Sequence, residues 1–353
     1  MISVLVVDDS VVVRRLIAAA VEAEPGIRVA GTAANGRIAL NKIEQLAPDV
    51  ITLDIEMPEL DGLGTLRELR RTNRTLPVIM FSTLSVAGAA ATLEALAAGA
   101  TDFVTKPAHA GSFAESQRMV REQLIPKIHS LGGGRLRPTP ARVPPPAPRR
   151  TGRLAALTIA SSTGGPDALT KVLGRLPATL AVPVLVVQHM PPVFTKMFAE
   201  RLDRVCAIKV VEAVDGMPVT AGVAYLAPGD YHLTVVGRPG AATTRLTQEP
   251  AENSCRPAAD VLFRSVAQVY GGASLAVVLT GMGQDGRHGA ERLRQAGAEV
   301  VAQDQASSVV WGMPGAVVAA GLADAVLPLA EIGGYLALRA TTAAPAQTRA
   351  VAS

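Results

Sequence analysis

The stretch LTIASSTGGPDAL, residues 157–169, joins an apolar run to a helical pattern through two serines, a threonine and two glycines. The apolar run predicts a buried strand, and Pro166 stands where a helix would have its first residue. Hydroxyl residues and glycine are ordinary at a helix start, so the turn is compatible with a simple cap. It is also a place where an α/β protein can present a serine nucleophile, which needs a base and an acid nearby.

Around this stretch, short apolar strands and helices alternate in two blocks. Residues 1–125 predict five strands, each followed by a helix, which indicates a doubly wound, flavodoxin-like parallel sheet. Residues 153–340 predict a second α/β domain with a mostly parallel sheet and an antiparallel hairpin that turns at residues 228–230. Between them, residues 126–152 are rich in Pro, Gly and Arg and predict a semi-stiff linker. Residues 341–353 predict a flexible tail.

Composition excludes several classes of protein. Seven basic residues and no acid lie between Gln123 and Pro166, and the rest of the chain holds 27 basic and 30 acidic residues. The chain therefore has no broad basic surface for nucleic acid. Its two cysteines, Cys206 and Cys255, are too few for a disulfide framework and are interpreted as reduced thiols without a function. Neither a signal peptide nor a membrane-spanning run is apparent, which predicts a cytoplasmic protein without membrane insertion.

Charged and hydroxyl residues end four predicted strands of the first block. Asp8 and Asp9 follow the first strand, Asp54 ends the third, Thr83 follows the fourth and Lys106 the fifth. Because the carboxyl ends of parallel strands share one edge of the sheet, these side chains are expected to converge. Three carboxylates packed together repel one another unless a cation lies among them, and a hard divalent ion such as Mg²⁺ fits oxygen ligands.

This set resembles the receiver domain of bacterial response regulators, and the resemblance covers about residues 1–125. It implies a sensor histidine kinase as phosphodonor and Mg²⁺ as the cofactor of phosphorylation. The resemblance also implies that Asp54 accepts the phosphoryl group and that Asp8 and Asp9 hold the metal together with Asp54. It implies that Thr83 and Lys106 contact the phosphoryl oxygens and that Phe103 is the switch aromatic.

A base and an acid for the serine stand near two other predicted strand ends. His189 follows VPVLVVQ, and Asp285 lies in the glycine-rich loop of LTGMGQDG. With Ser162 they fit Ser-His-Asp acyl chemistry, which needs no cofactor. The chain order is that of neither the α/β-hydrolases nor the two well-known serine protease folds, and no G-x-S-x-G motif is present. Ser161 remains an alternative nucleophile, because only one of two adjacent serines can face the histidine.

Five motifs in order resemble the catalytic domain of the chemotaxis protein-glutamate methylesterases: SSTGGP, VVQHMPPVFT, YLAPGDYHL, LTGMGQDG and DQASSVVWGMPGAV. They cover most of residues 153–335. The resemblance implies that Ser162 is the nucleophile, His189 the base and Asp285 the acid. It also implies that Thr163 helps to position the triad and that the backbone N–H of Met282 stabilises the oxyanion. One departure is the pair Ala160-Ser161, where the family usually has Gly-Ala before the nucleophile.

The family's activity follows as an expectation. A methylesterase of this kind hydrolyses glutamate methyl esters on chemoreceptors, releases methanol and can deamidate receptor glutamines, and phosphorylation of its receiver activates it. One rival is a phosphorylation-controlled binding protein that has lost catalysis. The other is a response regulator with a DNA-binding output, which would need a helix-turn-helix with a basic face.

Overall fold

The structure is a computed structural model that describes residues 1–107, 112–133 and 153–341. Its N-terminal part alternates strands and helices, as the sequence predicts. The elements are β1 Ile2–Val7, α1 Val11–Glu22, β2 Ile27–Ala33, α2 Gly36–Leu46, β3 Val50–Asp54, α3 Gly62–Thr72, β4 Val78–Ser82, α4 Val86–Ala97, β5 Asp102–Thr105 and α5 Phe113–Gly132.

These five strands form one parallel sheet in the order β2-β1-β3-β4-β5. The central strands are buried on both faces, which explains their continuous apolar runs. Side chains of Ser10, Asn35, Asp61, Ser85 and Ser112 accept from backbone N–H groups at the starts of the five helices. The predicted receiver fold of five parallel strands is confirmed.

The last helix of this sheet is longer than predicted. The sequence predicts its end at Ile125, whereas α5 continues through Pro126 to Gly132. Leu124 and Ile128 are both fully buried on the same side of α5, in a cluster with residues of β1 and α1. Burial of this apolar side therefore carries the helix past the proline. The predicted linker from residue 134 and the tail after residue 341 lie outside the described residues, as does His109, one of the five histidines in the sequence.

The C-terminal part contains nine strands and six helices within residues 153–341. They are β6 Ala156–Ser161, α6 Gly165–Leu173, β7 Val184–Gln188, α7 Phe194–Val205, β8 Lys209–Glu212, β9 Val223–Leu226, β10 His232–Val236, β11 Thr243–Thr247, α8 Ala259–Tyr270, β12 Ser274–Val278, α9 Arg287–Gln295, β13 Glu299–Gln303, α10 Met313–Ala319, β14 Ala325–Leu327 and α11 Leu329–Thr341.

Seven of these strands form a parallel sheet in the order β14-β13-β12-β6-β7-β9-β8. Strand β6 lies near the centre, between β12 and β7. The loops after these three adjacent strands therefore emerge at one edge of the sheet, where an open α/β sheet binds its ligands. This confirms the predicted α/β class of the second domain.

The predicted hairpin at residues 228–230 is wrong. Strand β9 pairs in parallel with β7 and β8, and the antiparallel partner of β10 is β11, in a separate two-stranded sheet. Gly229 packs so tightly on the 191–192 backbone that a Cβ there would lie 2.2 Å from Pro192 N. The segment between β9 and β10 thus packs on the loop after β7 and does not form a hairpin turn. Turn residues in the sequence show that the chain reverses, but they do not show which strands pair on either side of the turn.

The two parts of the chain are packed together. Phe103 of β5 stacks on Phe194 of α7, with ring centroids 4.6 Å apart and an angle of 11° between the planes. The buried face of α4 continues this contact toward α6 and α7 in one hydrophobic cluster. In the parts of the chain that the structure describes, no helix has the length and hydropathy required to cross a bilayer.

Candidate functional site

The acidic residues at the edge of the first sheet converge as predicted. Lys106 Nζ lies 2.8 Å from Asp54 Oδ1 and 3.1 Å from Asp8 Oδ2. Asp8, Asp9 and Asp54 each offer a carboxylate oxygen within 4.8 Å of the others. Asp8 and Asp54 are buried, whereas Asp9 is exposed at the pocket mouth. One cation and three carboxylates thus form a cluster with an excess of negative charge.

The chemistry of this cluster fits a divalent cation. Asp8 Oδ2 is buried, and its charged neighbour among the described residues is Lys106 Nζ at 3.1 Å, which Asp54 shares. Burial raises the pKa of Asp54 to about 6; the hydrogen bond from Lys106 opposes this rise and the charge of Asp8 adds to it. Both features are expected where carboxylates are arranged to share a cation.

Thr83 and Phe103 occupy different surroundings. Thr83 lines the same cavity of about 200 Å³ as Asp9, Asp54 and Lys106, and its hydroxyl lies 3.0 Å from Ser85 Oγ. Thr83 is therefore placed to reach a group bound to Asp54. Phe103 instead faces the second domain through its contact with Phe194.

The two adjacent serines at the end of β6 point in different directions. Ser161 is fully buried, and its hydroxyl donates to Gln188 Oε1 at 2.7 Å. Ser162 is only half-buried, and its N–H donates to Thr280 O at 3.1 Å. Gln188 Nε2 donates to Ser162 O at 3.0 Å, so the same amide holds both serines. Ser161 serves the packing of the strand end, and Ser162 is the hydroxyl left at the surface of the site.

The paired glycines are explained by the turn that follows. Gly164 has φ +75°, and a Cβ on Gly165 would lie 2.0 Å from Gln188 Oε1. The first glycine thus permits a left-handed turn, and the second lets α6 begin directly against the strand end. The turn therefore requires glycine at both positions, which a simple helix cap does not.

His189 and Asp285 form a hydrogen-bonded pair. His189 Nε2 lies 2.8 Å from Asp285 Oδ2. Asp285 also accepts the N–H groups of Ala259 and Asp260, the first residues of α8, at 2.6 and 3.0 Å. Burial opposes its charge, but the hydrogen bond with His189 and these N–H groups outweigh burial and lower the pKa of Asp285. Asp285 is held as a carboxylate at a helix N-terminus.

The other ring nitrogen of His189 faces a thiol. Cys255 Sγ lies 3.6 Å from His189 Nδ1. Burial opposes the charged ring, but the hydrogen bonds with Asp285 and Cys255 outweigh it and raise the pKa of His189 to about 10. Within the described residues, the Ser162 hydroxyl makes no hydrogen bond to this ring. The structure therefore joins two of the three predicted triad residues directly and brings the third to the neighbouring strand end.

Two further predicted residues flank Ser162. The Met282 N–H has no acceptor among the described residues, and Met282 lies in the loop that follows β12. The Thr163 hydroxyl donates to Asp102 Oδ2 at 2.6 Å, across the contact between the two parts of the chain. Lys127 of α5 donates to the same carboxylate oxygen at 2.5 Å. A residue of β5 thus touches the neighbour of Ser162.

Sequence reasoning missed three residues of this site. Gln188 orients both serines, Asn253 Nδ2 donates to Asp285 Oδ1 at 3.0 Å, and Cys255 contacts His189. The position of Gln188, directly before His189, was a signal that could have found it. Nothing in the sequence brings residues 253 and 255 to the pair. Among the described histidines other than His189, His129 contacts Glu24, His232 is buried against Pro250 and Ala258, and His288 is exposed.

Two protein-family models match the chain. The model described as CheB methylesterase matches residues 157–336, and the model described as response regulator receiver domain matches residues 4–116. The second match spans the acidic pocket, and the first spans Ser162, His189 and Asp285.

Similar proteins cover nearly the whole chain. A protein-glutamate methylesterase/protein-glutamine glutaminase of Nocardioides sp. is 55% identical over 344 residues, which are 94% of this chain and 93% of that protein. The protein of the same name from Trichodesmium erythraeum is 50% identical over 338 residues, 93% of this chain and 96% of its own length. The crystal structure of the Thermotoga maritima CheB methylesterase catalytic domain has a TM-score of 0.51 at 41% identity and covers 53% of this chain and 99% of that chain.

Proposed function

The chain belongs to the CheB methylesterase family, with a response regulator receiver domain before its catalytic domain, and we propose that it hydrolyses glutamate methyl esters by a serine mechanism. The observation that carries this mechanism is the His189–Asp285 pair, 2.8 Å apart, beside the strand end that exposes Ser162. The substrates are methylated glutamates, and by chemical analogy glutamines, on chemoreceptors. The division into a receiver of residues 1–125, a linker and a catalytic domain of residues 153–340 is part of the same proposal.

The reaction begins from the neutral form of the His189 ring, with proton transfer from Ser162 to His189. Since Nε2 is bonded to Asp285, the nitrogen that receives this proton is Nδ1. The Ser162 oxygen attacks the side-chain carbonyl of the methylated glutamate, and Asp285 stabilises the imidazolium that forms. The resulting oxyanion lies against the free N–H of Met282, and removing one such donor typically costs about 10²–10³ in rate.

Collapse of this intermediate produces the acyl-enzyme. The proton on His189 passes to the departing methoxy oxygen, so methanol leaves and Ser162 carries an ester of the glutamate side chain. His189 then takes a proton from water, and the hydroxide formed attacks the ester. The second intermediate releases free glutamate, and the proton returns to Ser162. A glutamine side chain follows the same steps with ammonia as leaving group.

The serine assignment is tested with paired variants. Ser162→Ala removes the nucleophile and is expected to abolish methanol release from methylated receptor. Ser161→Ala removes a hydroxyl that donates to Gln188, so it is expected to lower stability and to retain turnover. Both proteins are checked for folding by circular dichroism. The reverse result, with Ser161 essential and Ser162 dispensable, would transfer the nucleophile to Ser161.

We further propose that the receiver is phosphorylated on Asp54 by a sensor histidine kinase. Asp8, Asp9 and Asp54 would hold Mg²⁺, which supplies charge neutralisation for attack by an anionic carboxylate. Lys106, which already contacts Asp8 and Asp54, and Thr83 would bind the phosphoryl oxygens. The test is phosphorylation with a small-molecule phosphodonor and Mg²⁺, and Asp54→Asn is expected to take up no phosphoryl group.

Control of the esterase by the receiver is proposed to pass through the contact between the domains. Thr163, next to the nucleophile, donates to Asp102 of β5, and the adjacent Phe103 stacks on Phe194. In this docked arrangement the receiver restrains the loop that carries Ser162. Phosphorylation of Asp54 would engage Lys106, which follows β5 and lies three residues after Phe103 in the chain, and it is proposed to weaken docking and free the loop.

A further inference from the structure

A tight turn lies beside the His189–Asp285 pair. Glu252 and Cys255 exchange backbone hydrogen bonds, with Glu252 N donating to Cys255 O at 3.1 Å and Cys255 N to Glu252 O at 2.9 Å. The two residues between them, Asn253 and Ser254, have φ of 52° and 60°. This is the pattern of a type I′ turn, which fixes the directions of its flanking side chains. A positive φ is unfavourable for serine, so contacts with the surrounding residues must stabilise this turn.

The surroundings hold the turn at both ends. Glu252 accepts from both Nη atoms of Arg264 at 2.6 Å, which ties the turn to α8. Arg256 donates to Asp230 Oδ1 from Nε and Nη2, at 3.0 and 2.6 Å. Two-bond contacts of this kind restrict geometry more than single ion pairs do. Residues 252–256 therefore present their side chains from a fixed position.

Two side chains of the turn reach the catalytic pair. Asn253 Nδ2 lies 3.0 Å from Asp285 Oδ1 and 3.0 Å from Asp260 Oδ2, so it bridges the catalytic carboxylate to a buried one. Cys255 Sγ lies 3.6 Å from His189 Nδ1, within range of a sulfur hydrogen bond. Because Nε2 is bonded to Asp285, the thiol faces the one ring nitrogen left for Ser162.

We propose that Cys255 is a positioning residue that holds His189 Nδ1 in the resting enzyme and exchanges its place with the Ser162 hydroxyl before proton transfer. The proposal rests on the proposed function, in which Ser162 is the nucleophile and His189 the base. It accounts for two observations together: the thiol that occupies Nδ1 and the missing hydrogen bond between Ser162 and His189 among the described residues. A thiol is a weak hydrogen-bond partner, so the exchange costs little.

The charge of His189 follows from the groups around the ring. Asp285, on the loop before α9, and Cys255, on the turn, face the ring directly. Behind Asp285 lie Asp260 of α8, buried, and the Glu252–Arg264 pair. In the protonated ring Nδ1–H donates to Cys255 Sγ, so the sulfur stabilises the charged form in addition to Asp285, and its removal is expected to lower the pKa of His189. The active form of the base, neutral imidazole, would then persist to lower pH.

The experiment measures methanol release from methylated receptor as a function of pH for the full-length chain. Cys255→Ala is expected to move the acidic limb of the kcat/KM profile down by about one pH unit, which is about a tenfold gain at a fixed pH below the limb. Cys255→Ser retains a hydrogen-bonding group and is expected to fall between Cys255→Ala and wild type. Cys206→Ser, at the other free cysteine, is the control and is expected to leave the profile unchanged.

A spectroscopic readout accompanies the kinetics. The ¹⁵N shifts of His189, assigned by comparison with His189→Gln, are expected to give a lower pKa in Cys255→Ala than in wild type. Ser162→Ala should abolish turnover, whereas the difference in the His189 pKa between proteins with and without Cys255 should remain in the Ser162→Ala background. A failure of the proposed function can therefore be distinguished from a failure of the proposed role of Cys255. Should Cys255→Ala not fold, Cys255→Ser carries the same test, because oxygen replaces sulfur with little change in volume.

Two results would overturn the proposal. A Cys255→Ala protein whose pH profile and His189 pKa match the wild-type values would show that the thiol only fills space. A folded Cys255→Ala protein without turnover, together with an active Ser162→Ala protein, would make Cys255 the nucleophile of a Cys-His-Asp triad and remove the serine mechanism with it.

Discussion

Replacing Asp102 by alanine tests how the receiver restrains the esterase. Asp102 Oδ2 accepts from the Thr163 hydroxyl at 2.6 Å, and the Asp102 side chain is only 9% exposed. Solvent therefore screens this bond weakly. Hydrogen bonds to a charged group contribute about 1.5–3 kcal/mol, and this bond exists only while the domains are docked. Its loss should shift the balance between docked and undocked protein by about 10- to 150-fold.

The assay is methanol release from methylated receptor by the unphosphorylated protein. If docking restrains Ser162, the basal rate of Asp102→Ala rises by up to this factor, and its activation by a phosphodonor with Mg²⁺ falls in proportion. The expected plateau is the rate of the phosphorylated wild type, because both routes end in the undocked state.

A control separates docking from general weakening of the receiver. Asp102 also accepts from Lys127, so its removal affects the receiver itself. Glu24→Gln removes the charge that Glu24 offers to Arg121 and His129 of α5, without touching the Asp102–Thr163 contact, and is expected to leave the basal rate unchanged. A folded Asp102→Ala protein with the wild-type basal rate would refute the reasoning, because the Thr163 contact would then not restrain the site.

Three further outcomes are expected. Asp285→Asn keeps the shape of the site but loses the charge that supports His189, so kcat should fall by about 10⁴ in methanol release; a fall of less than tenfold would contradict this role. The pKa of His189 is raised from 6.5 to about 10, so its contribution to stability is fully present below pH 6.5 and is lost as pH rises toward 10. Urea unfolding over this range should show that loss in wild type and not in His189→Gln; equal pH dependence in both would be the contrary result. Gly165→Ala places a Cβ 2.0 Å from Gln188 Oε1 and should cost about 1–3 kcal/mol in urea unfolding. Gly334→Ala, in helix α11 with open space around it, should instead be neutral or stabilising, and similar losses for both variants would argue against the close approach at Gly165.

The sequence by itself determined the local elements and the ends of the strands. Continuous apolar runs predict β1, β3, β4, β6 and β12, because such runs are typical of strands in a parallel sheet that is covered on both faces. The structure buries these strands in that way. Parallel order then brings the residues after those strands to one edge. For this reason Asp8, Asp54 and Lys106 could be placed in one pocket, and the meeting of His189 with Asp285 could be foreseen.

Tertiary structure alone decided the contacts that join distant loops. The pairing of β10 with β11, the choice between Ser161 and Ser162 through Gln188, and the approach of Asn253 and Cys255 to the catalytic pair depend on how loops pack. The Thr163–Asp102 bond spans 61 residues of chain and joins two separate sheets. Strand periodicity carries no information about such contacts, since they arise from the shapes and charges of surfaces that meet only after each sheet has formed.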